Sequence, residues 1–432
     1  MTERAQEPAA PTPIDAGSPA VPRRPAHGTT GGGAGRRRPD PGEVRTARAW
    51  LSRAVEPGDA AVHRFLCEHG PVETRRLLLA EEAPADVLRQ ATARLAEDRS
   101  DEDLAVAAGL GLRLVTPEDD EWPQAALHAM EIAVARGATD QAPPQALWAR
   151  GSARVDAAVA RAVAIVGARD ATPYGVRVAA DLAYALARRG WTIVSGGAYG
   201  IDGAAHRGAL AADGTTVAVV AGGLRSPYPA GHARLFDRIA TTGLLVSEWP
   251  PDCAPQRHRF LIRNRLIAAL AAGTVVVEAG ARSGAASTAR RARELGRPLM
   301  AVPGPVTSAQ SVGCHRLLQE EEARLVACAD DVLEMVGALG DDLAPPPPVQ
   351  ARPRDRLDPV AQRVLDGLPG RSAASADRIA VAAGVPVIDV LRCLPALEIG
   401  GFVEQSGTGW RLGAAARRAD RPGPGESATG IP

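Results

Sequence analysis

Residues 162–197 read AVAIVGARDATPYGVRVAADLAYALARRGWTIVSGG and contain two short apolar runs, AVAIV and WTIV, separated by one longer segment. In the longer segment, apolar residues recur at the three- and four-residue spacing of a helix. Both short runs are continuously apolar, as strands buried on both faces of a parallel sheet must be. This order of strand, helix and strand predicts a βαβ unit.

The same alternation of apolar runs and helical patterns continues to about residue 338. Four further apolar runs follow in the order TVAVVAGG, GLLVSEW, TVVVEAG and PLMAVPG. At least six strands that alternate with helices are typical of the α/β class. We therefore predict a Rossmann-like domain over residues 112–338, with a doubly wound, mostly parallel sheet.

The N-terminal part of the chain differs in composition from this domain. Residues 1–43 are rich in proline, glycine, alanine and arginine and have few large apolar residues, which predicts a disordered tail. Residues 44–111 carry apolar residues at helical spacing and predict a small N-terminal helical domain of four or five helices.

The C-terminal part of the chain predicts a linker and a second small domain. Residues 339–356 include four consecutive prolines, which favour an extended, semi-rigid linker. Residues 357–413 resemble a winged helix, with two helices joined at Gly384 and a two-stranded wing after them. Residues 414–432 return to a tail-like composition, and we expect them to be disordered.

Charge and cysteine content exclude several classes of protein. The 432 residues carry no formal net charge, so a uniformly basic protein that coats nucleic acid is excluded, although residues 161–330 hold 20 arginines against 13 acidic residues. The five cysteines form no CxxC pair, which argues against a zinc ribbon and fits a reducing cytosol. The sequence has no apolar run of about 18 residues and no apolar signal segment. We therefore expect a cytoplasmic protein that does not contact a membrane.

Glycine and small polar residues follow most of the predicted strands. Ligands of open parallel sheets bind beyond the carboxyl ends of the strands, so a site is expected among these loops. Glycine lets a backbone approach a ligand closely, and the free amides at a helix start favour phosphate. We therefore predict an anion pocket at this edge; the alternative is that the glycines only make tight turns. The candidate loop residues are Arg169, Ser195, Gly196, Gly197, Ser283, Gly284, Ser287 and Thr288.

A basic cluster precedes the fifth predicted strand. Residues 257–266 read RHRFLIRNRL, with four arginines and one histidine but no acidic residue. We predict that a helix begins here at the strand-end face, where the charge stays accessible and an anion would arrive. The candidate residues of this cluster are Phe260, Arg263, Asn264 and Arg265.

The sequence contains no recognisable catalytic set. The fingerprint GxGxxG is absent after the first strand, and neither a P-loop motif nor a GxSxG elbow is present. Asp202 and His206 lie four residues apart but lack a third metal ligand and a nucleophile, so we predict a capping aspartate and a histidine satisfied in the core. Glu248 and Glu278 follow buried strands and are predicted to hold loops and arginines in place. We expect no enzyme, no metal and no cofactor.

Seven ordered motifs within residues 112–335 resemble the DNA-processing protein A family, which is also called DprA or Smf. The motifs are AIVGARDATPYG, IVSGGAYGIDGAAHRGAL, VAVVAGGLRSPYPAGH, LLVSEWPP, FLIRNRLIAAL, VVVEAGARSGAASTARRARELGRPLMAVPG and SVGCHRLL. The resemblance implies an extended Rossmann domain that binds single-stranded DNA, forms a homodimer and catalyses no reaction. It also implies that the protein protects incoming DNA and loads the recombinase RecA during natural transformation.

The resemblance also implies a role for individual residues. Arg169 would contact a backbone phosphate in a pocket lined by Ser195, Gly196 and Gly197. Phe260 would pack against a base. The residues that would hold phosphates or offer donors at a helix start are Arg263, Asn264, Arg265, Ser283, Gly284, Ser287 and Thr288.

The chain departs from the family pattern in two places. Leu261 follows Phe260 where the family usually has proline. Residues 223–229, GLRSPYP, lack the aspartate of the family motif GxDxxYP, and His232 stands where a lysine or asparagine is often present.

Two other functions remain open from the residues. A nucleotide phosphoribohydrolase of the lysine-decarboxylase-like Rossmann group would show PGGxGTxxE after a late strand, where this chain has EAGARSGAAST. A winged-helix transcription regulator would read duplex DNA with its second helix. That segment, PVIDVLRCLPALEIG, has one arginine, so contact with a protein is at least as well supported as contact with duplex DNA.

Overall fold

A computed structural model describes residues 39–413, apart from 92–93, 96–97, 282, 321, 338–353, 355–356 and 371. The predicted C-terminal tail, most of the predicted N-terminal tail and almost all of the predicted linker lie outside the described residues. The described residues before position 338 form one compact unit, and those after the linker form a second.

Among the described residues, four α-helices precede the sheet. They are α1 (Pro41–Ala54), α2 (Ala60–Leu79), α3 (Ala85–Ala91) and α4 (Ser100–Gly109). Asp40 caps α1 in a capping box with Glu43, so this helix begins slightly earlier than the predicted helical domain. A kink divides α2 where Gly70 takes a φ of 76° immediately before Pro71. Trp50 packs in the small core that these helices share.

The described part of the chain contributes nine strands to the main sheet. They are β1 (Leu112–Val115), β2 (Leu147–Arg150), β3 (Ala162–Val166), β4 (Thr192–Ser195), β5 (Thr216–Val219), β6 (Leu244–Ser247), β7 (Gly273–Val276), β8 (Leu299–Ala301) and β9 (Arg324–Leu325). Their order is β1-β2-β6-β5-β4-β3-β7-β8-β9, and only the contacts made by β2 are antiparallel. The predicted mostly parallel sheet is confirmed, and the six predicted strands are β3 to β8.

Helices cover both faces of this sheet. They are α5 (Gln124–Ala135), α6 (Val155–Val159), α7 (Pro173–Ala187), α8 (Ile201–Ala211), α9 (Ala233–Thr242), α10 (Arg257–Ala269), α11 (Gly284–Glu294), α12 (Val312–Gln319) and α13 (Ala329–Val336). Alternate residues of β3 enter two different cores: Val163 and Ile165 pack in one, and Ala164 and Val166 pack in the other. This alternation accounts for the continuously apolar strands and confirms the doubly wound architecture.

The direction of the chain reverses across the sheet at β3. From β3 the chain proceeds outward through β4, β5 and β6, and it then returns to place β7 on the other side of β3. The carboxyl ends of β3 and β7 therefore flank a topological switch point, which is where open α/β sheets form a ligand crevice.

The second compact unit is a winged helix, as predicted. It contains α14 (Pro359–Asp366), α15 (Ala376–Ala383), α16 (Val387–Ile399), β10 (Val403–Ser406) and β11 (Gly409–Leu412). Gly384 makes the turn between α15 and α16 with a φ of 62°, and β10 pairs with β11 in antiparallel register. No single helix among the described residues is long and apolar enough to cross a membrane; α15 and α16, bent by 105° at their junction, meet that test only as a pair.

Candidate nucleic-acid interface

A pocket of about 330 Å³ lies at the switch point. The loops after β3 and β7, the first half of α10 and the start of α11 form its walls. The structure brings seven of the predicted site residues together here: Arg169, Phe260, Arg263, Asn264, Ser283, Gly284 and Thr288. Ser195, Gly196, Gly197, Arg265 and Ser287 do not line the pocket.

Phe260 and two guanidinium groups form the centre of this pocket. The guanidinium carbon of Arg169 lies 5.0 Å from the ring centroid of Phe260, and that of Arg263 lies 6.0 Å from it. These distances are typical of cation–π contacts. Arg169 is exposed, and no salt bridge within the described part of the chain involves it. Its positive charge is therefore available at the surface beside a half-buried ring.

The start of α11 forms the opposite wall. The hydroxyl of Ser283 accepts a hydrogen bond from the amide of Ala285 at 3.0 Å and so caps the helix. Gly284 is exposed, with open space where a β-carbon would point. The Nδ2 of Asn264 donates to the carbonyl of Gly284 at 3.4 Å, which ties α10 to this wall. The partial positive charge of a helix N-terminus favours an anion at such a position.

Arg263 forms the floor of the pocket and is itself only 3% exposed. Its Nη1 donates to the carbonyl of Gly196 at 2.8 Å and also to the carbonyl of Val219. Burial lowers the pKa of Arg263 to about 10, while the carboxylate of Asp202 opposes this change and Arg169 adds to it. Arg263 is therefore charged at neutral pH and contributes positive potential from below.

Arg265 lies away from the pocket, with no exposed surface. It forms an ion pair with Glu248 and donates to the carbonyl of Ala142 at 2.6 Å. Arg259 is similarly buried and pairs with Glu56 at 2.8 Å. The expectation that the charge of this cluster stays accessible is wrong for these two arginines, because α10 turns them toward carboxylates inside the protein.

The loop after β4 lies beneath the pocket. Ser195 is fully buried, and its hydroxyl donates to the carbonyl of Ile165 at 2.7 Å. A β-carbon at position 196 would lie 2.6 Å from the guanidinium of Arg263, and one at Gly197 would lie 2.6 Å from Phe236. A larger residue at either position would therefore overlap another side chain of the protein, which explains both glycines without a bound ligand.

Asp202 and His206 are structural residues, as predicted, but the predicted role of each needs one correction. Asp202 accepts hydrogen bonds from the amides of Gly196 and Ala198 at 3.2 and 3.4 Å, and Gly200, not Asp202, occupies the cap position of α8. The Nδ1 of His206 lies 2.7 Å from the hydroxyl of Thr216, but its Nε2 is buried with no hydrogen-bond partner among the described residues, so the predicted satisfied histidine is satisfied at one nitrogen only. Burial lowers the pKa of His206 to about 3, so this imidazole is neutral.

Glu278 holds the loop that carries Arg169. Its two carboxylate oxygens accept hydrogen bonds from the amide and the hydroxyl of Thr172, at 2.9 and 2.6 Å. The side chain is 1% exposed, and a β-carbon at Gly175 would overlap it. The predicted roles of Glu278 and Glu248, to hold a loop and an arginine, are confirmed.

Glu56, in the loop between α1 and α2, is a supporting residue that the sequence does not reveal. It accepts hydrogen bonds from Arg259 at 2.8 Å, from Arg94 at 2.7 Å and from the indole of Trp249 at 3.1 Å. Burial raises the pKa of Glu56, but the hydrogen bond and charge of Arg259 outweigh it and hold the pKa below its usual value. The helical region thus fixes the first turn of α10, one residue before Phe260.

Comparison with known families agrees with this architecture. A family model described as DNA recombination-mediator protein A matches residues 113–337. The chain belongs to this family of DNA-processing proteins. A model of the DprA winged helix domain matches residues 345–409, in the second unit.

Individual relatives cover most of the chain. The DNA processing protein DprA of Mycobacterium tuberculosis (strain H37Rv) is 50% identical over 369 residues, which are 85% of this chain and 94% of that protein. The solved structure of DNA processing protein A from Streptococcus pneumoniae is 30% identical, covers 68% of this chain and 98% of its own, and has a TM-score of 0.54. A structure of the Helicobacter pylori protein, solved to describe its single-stranded DNA binding mode, is 29% identical, covers 51% of this chain and 94% of its own, and has a TM-score of 0.44.

Proposed function

We propose that this chain binds single-stranded DNA in the pocket at the switch point. The observation that carries the proposal is the exposed guanidinium of Arg169 beside the ring of Phe260. Proteins that bind single strands combine a positively charged groove with rings on which bases stack. A family of DNA-processing proteins supplies the biological setting for this geometry.

The proposed contacts follow from accessibility. Arg169 binds a backbone phosphate and Phe260 contacts a base. The start of α11, where Ser283 is half-buried and Gly284 is exposed, offers donors to a second phosphate. Arg263 attracts the strand through its charge from below. Because contacts of this kind read the backbone, we expect little sequence preference and a steep dependence on salt.

The remaining predicted residues are proposed to act indirectly. Thr288 and Asn264 line the pocket, and Asn264 also holds its two helices together. Ser195, Gly196, Gly197 and Arg265 lie below or away from the pocket surface and are proposed to support it. Ser287 is half-buried and outside the pocket, and the structure assigns it no contact with a ligand.

Arg169→Ala tests the phosphate contact. We expect the affinity for a fluorescent oligothymidylate to fall about tenfold, and the slope of log K against log salt to become shallower by about 0.7, as for one lost phosphate contact. Fluorescence anisotropy at several salt concentrations measures both quantities. Arg177→Ala is the matched control, since this arginine is exposed on α7 outside the pocket. Unchanged affinity and slope in Arg169→Ala would refute the proposal.

We further propose that the chain acts in the cytoplasm as a homodimer, without catalysis or a cofactor, protecting incoming DNA and loading RecA during natural transformation. The description of the matching family as recombination mediators supports this role. We expect the protein to stimulate RecA-driven strand exchange on DNA coated with a single-strand-binding protein, and to sediment as a dimer. Failure to stimulate exchange would contradict the mediator role, and a monomer at every concentration would contradict the homodimer.

The two alternative functions receive less support. Two carboxylates, Asp170 and Asp202, line the pocket, but Asp202 accepts hydrogen bonds from two backbone amides. No group of three His, Cys, Asp or Glu residues among the described residues could hold a metal ion beside the exposed Asp170. A duplex reader would need polar side chains on its recognition helix. That helix, α16, instead exposes Ile388 and Leu391, and its Arg392 lies 3.6 Å from Asp389. Its apolar surface supports contact with a protein.

A further inference from the structure

We propose that a second cleft, next to the pocket, binds a further nucleotide of the same DNA strand. This proposal rests on the proposed function. The cleft has a volume of about 630 Å³, within the range of about 300–1,000 Å³ that is typical of ligand sites. It lies between the loop after β5, the start of α9, the end of α4 and the two strands β1 and β2.

The two sites are joined by a pair of aromatic rings. Phe260 lines the first pocket and Tyr228 lines the cleft. Their ring centroids are 5.7 Å apart at an interplanar angle of 73°, an edge-to-face contact. Tyr228 is 50% exposed. A DNA strand that passes the half-buried ring of Phe260 therefore meets the exposed ring of Tyr228 next.

The lining of the cleft suits a base and its phosphate. Leu112, Leu224 and Phe236 form its buried apolar base, and Leu110, which is 41% exposed, forms its accessible apolar surface. Arg225 is exposed at the cleft, and among the described residues no carboxylate forms a salt bridge with it. The flat faces of a base pack on apolar side chains. The phosphate of the same nucleotide would supply the negative charge that pairs with Arg225.

The helical region contributes to this cleft directly. Leu110 directly follows α4, and Leu112 begins β1. The other cation of the cleft, Arg150, is paired with Asp237 at 2.8 Å, so Arg225 is the arginine free to meet a phosphate. The segment before the Rossmann-like sheet thus extends the surface that we propose binds DNA.

A series of oligothymidylates of increasing length separates the two sites. We expect Arg225→Ala and Leu110→Asp to leave the affinity for the shortest oligomers that bind unchanged, and to weaken the longer ones about tenfold, as for one lost stacking or phosphate contact. The matched controls are Arg238→Ala and Leu79→Asp, because both side chains are exposed and line neither site. Fluorescence anisotropy at fixed salt gives each affinity.

The outcomes are distinct for the two proposals. The proposal of a second DNA-binding cleft is overturned if wild type and both variants bind oligomers of every length with equal affinity. It is also overturned if the variants lose the same factor in affinity at every oligomer length. Photo-crosslinking from an iodouracil placed at successive positions provides a second measurement, and we expect Tyr228 to be labelled only by oligomers long enough to pass Phe260. Labelling of Tyr228 by the shortest oligomers would also overturn the assignment. If wild type binds no oligothymidylate at all, the proposed function itself fails.

Discussion

Arginines occur in two environments near the pocket. Some are buried and have partners inside the protein, whereas Arg169, at the pocket rim, is exposed. Away from the pocket, Arg265 is fully buried and paired with Glu248, and on the pocket floor Arg263 donates to two backbone carbonyls. At the rim, Arg169 is exposed beside Phe260 and takes part in no salt bridge within the described residues. One loop arginine therefore offers more accessible charge than most of the basic cluster of α10.

Desolvation explains this division. A buried charge costs several kcal/mol unless protein groups replace its lost water, so the three buried arginines of α10, Arg259, Arg263 and Arg265, need carboxylate or carbonyl partners. An exposed arginine keeps its water until a phosphate replaces it. Accessible charge, not the number of arginines, therefore determines where DNA can bind, and the buried arginines should govern stability while the exposed one governs affinity.

The largest expected effect comes from breaking the buried ion pair between Arg265 and Glu248. Arg265→Ala leaves the Glu248 carboxylate buried and unpaired, so we expect the free energy of unfolding to fall by about 3–5 kcal/mol. Chemical denaturation measures this loss. Burial already raises the pKa of Glu248, and losing Arg265 raises it further, so the loss should shrink as the pH falls toward the pKa of an unfolded glutamate.

A double replacement is the control for this prediction. Arg265→Met combined with Glu248→Leu removes both charges and should recover most of the lost stability. Arg169→Ala, at the rim, should change the free energy of unfolding by no more than about 0.5 kcal/mol. If Arg265→Ala keeps full stability but loses DNA affinity, it is wrong that the buried arginines govern stability and the exposed one governs affinity.

The sequence predicts the strands wherever burial on both faces makes them continuously apolar. It misses β1 because Arg113 interrupts LRLV, and it misses β2 because only three apolar residues precede Arg150 in LWAR. It misses β9 because two residues make no pattern. These missed strands lie toward the edges of the sheet. There the strand length and the pattern of apolar residues predict a strand less well.

The sequence predicts the site only in part, for a related reason. The rule that ligands bind beyond strand ends locates Arg169 and the start of α11 correctly beside one pocket. It does not tell which arginines are neutralised, because the partner of Arg259 lies 203 residues away at Glu56. Nor does it show that Gly196 makes room for Arg263. Such contacts exist only after tertiary packing.

A smaller effect on stability and on DNA binding is expected when Glu56 is replaced. Glu56→Gln leaves Arg259 and Arg94 without a carboxylate, so we expect unfolding to become easier by about 1–2 kcal/mol. The first turn of α10 should also become less well held, which weakens DNA binding a few-fold through Phe260. Urea unfolding and oligothymidylate anisotropy measure the two effects. Glu118→Gln is the matched control, since Glu118 pairs with Arg48 away from α10.

The pH dependence distinguishes a charge effect from a packing effect at Glu56. Its pKa is lowered in the folded protein, so its stabilisation is complete above the pKa of an unfolded glutamate, about 4.3, and is lost as the pH falls through the folded pKa. The stability difference between wild type and Glu56→Gln should therefore narrow in acid. A difference that stays constant with pH, or a loss of DNA affinity equal to that of Glu118→Gln, would show that the helical region does not position α10 through this charge.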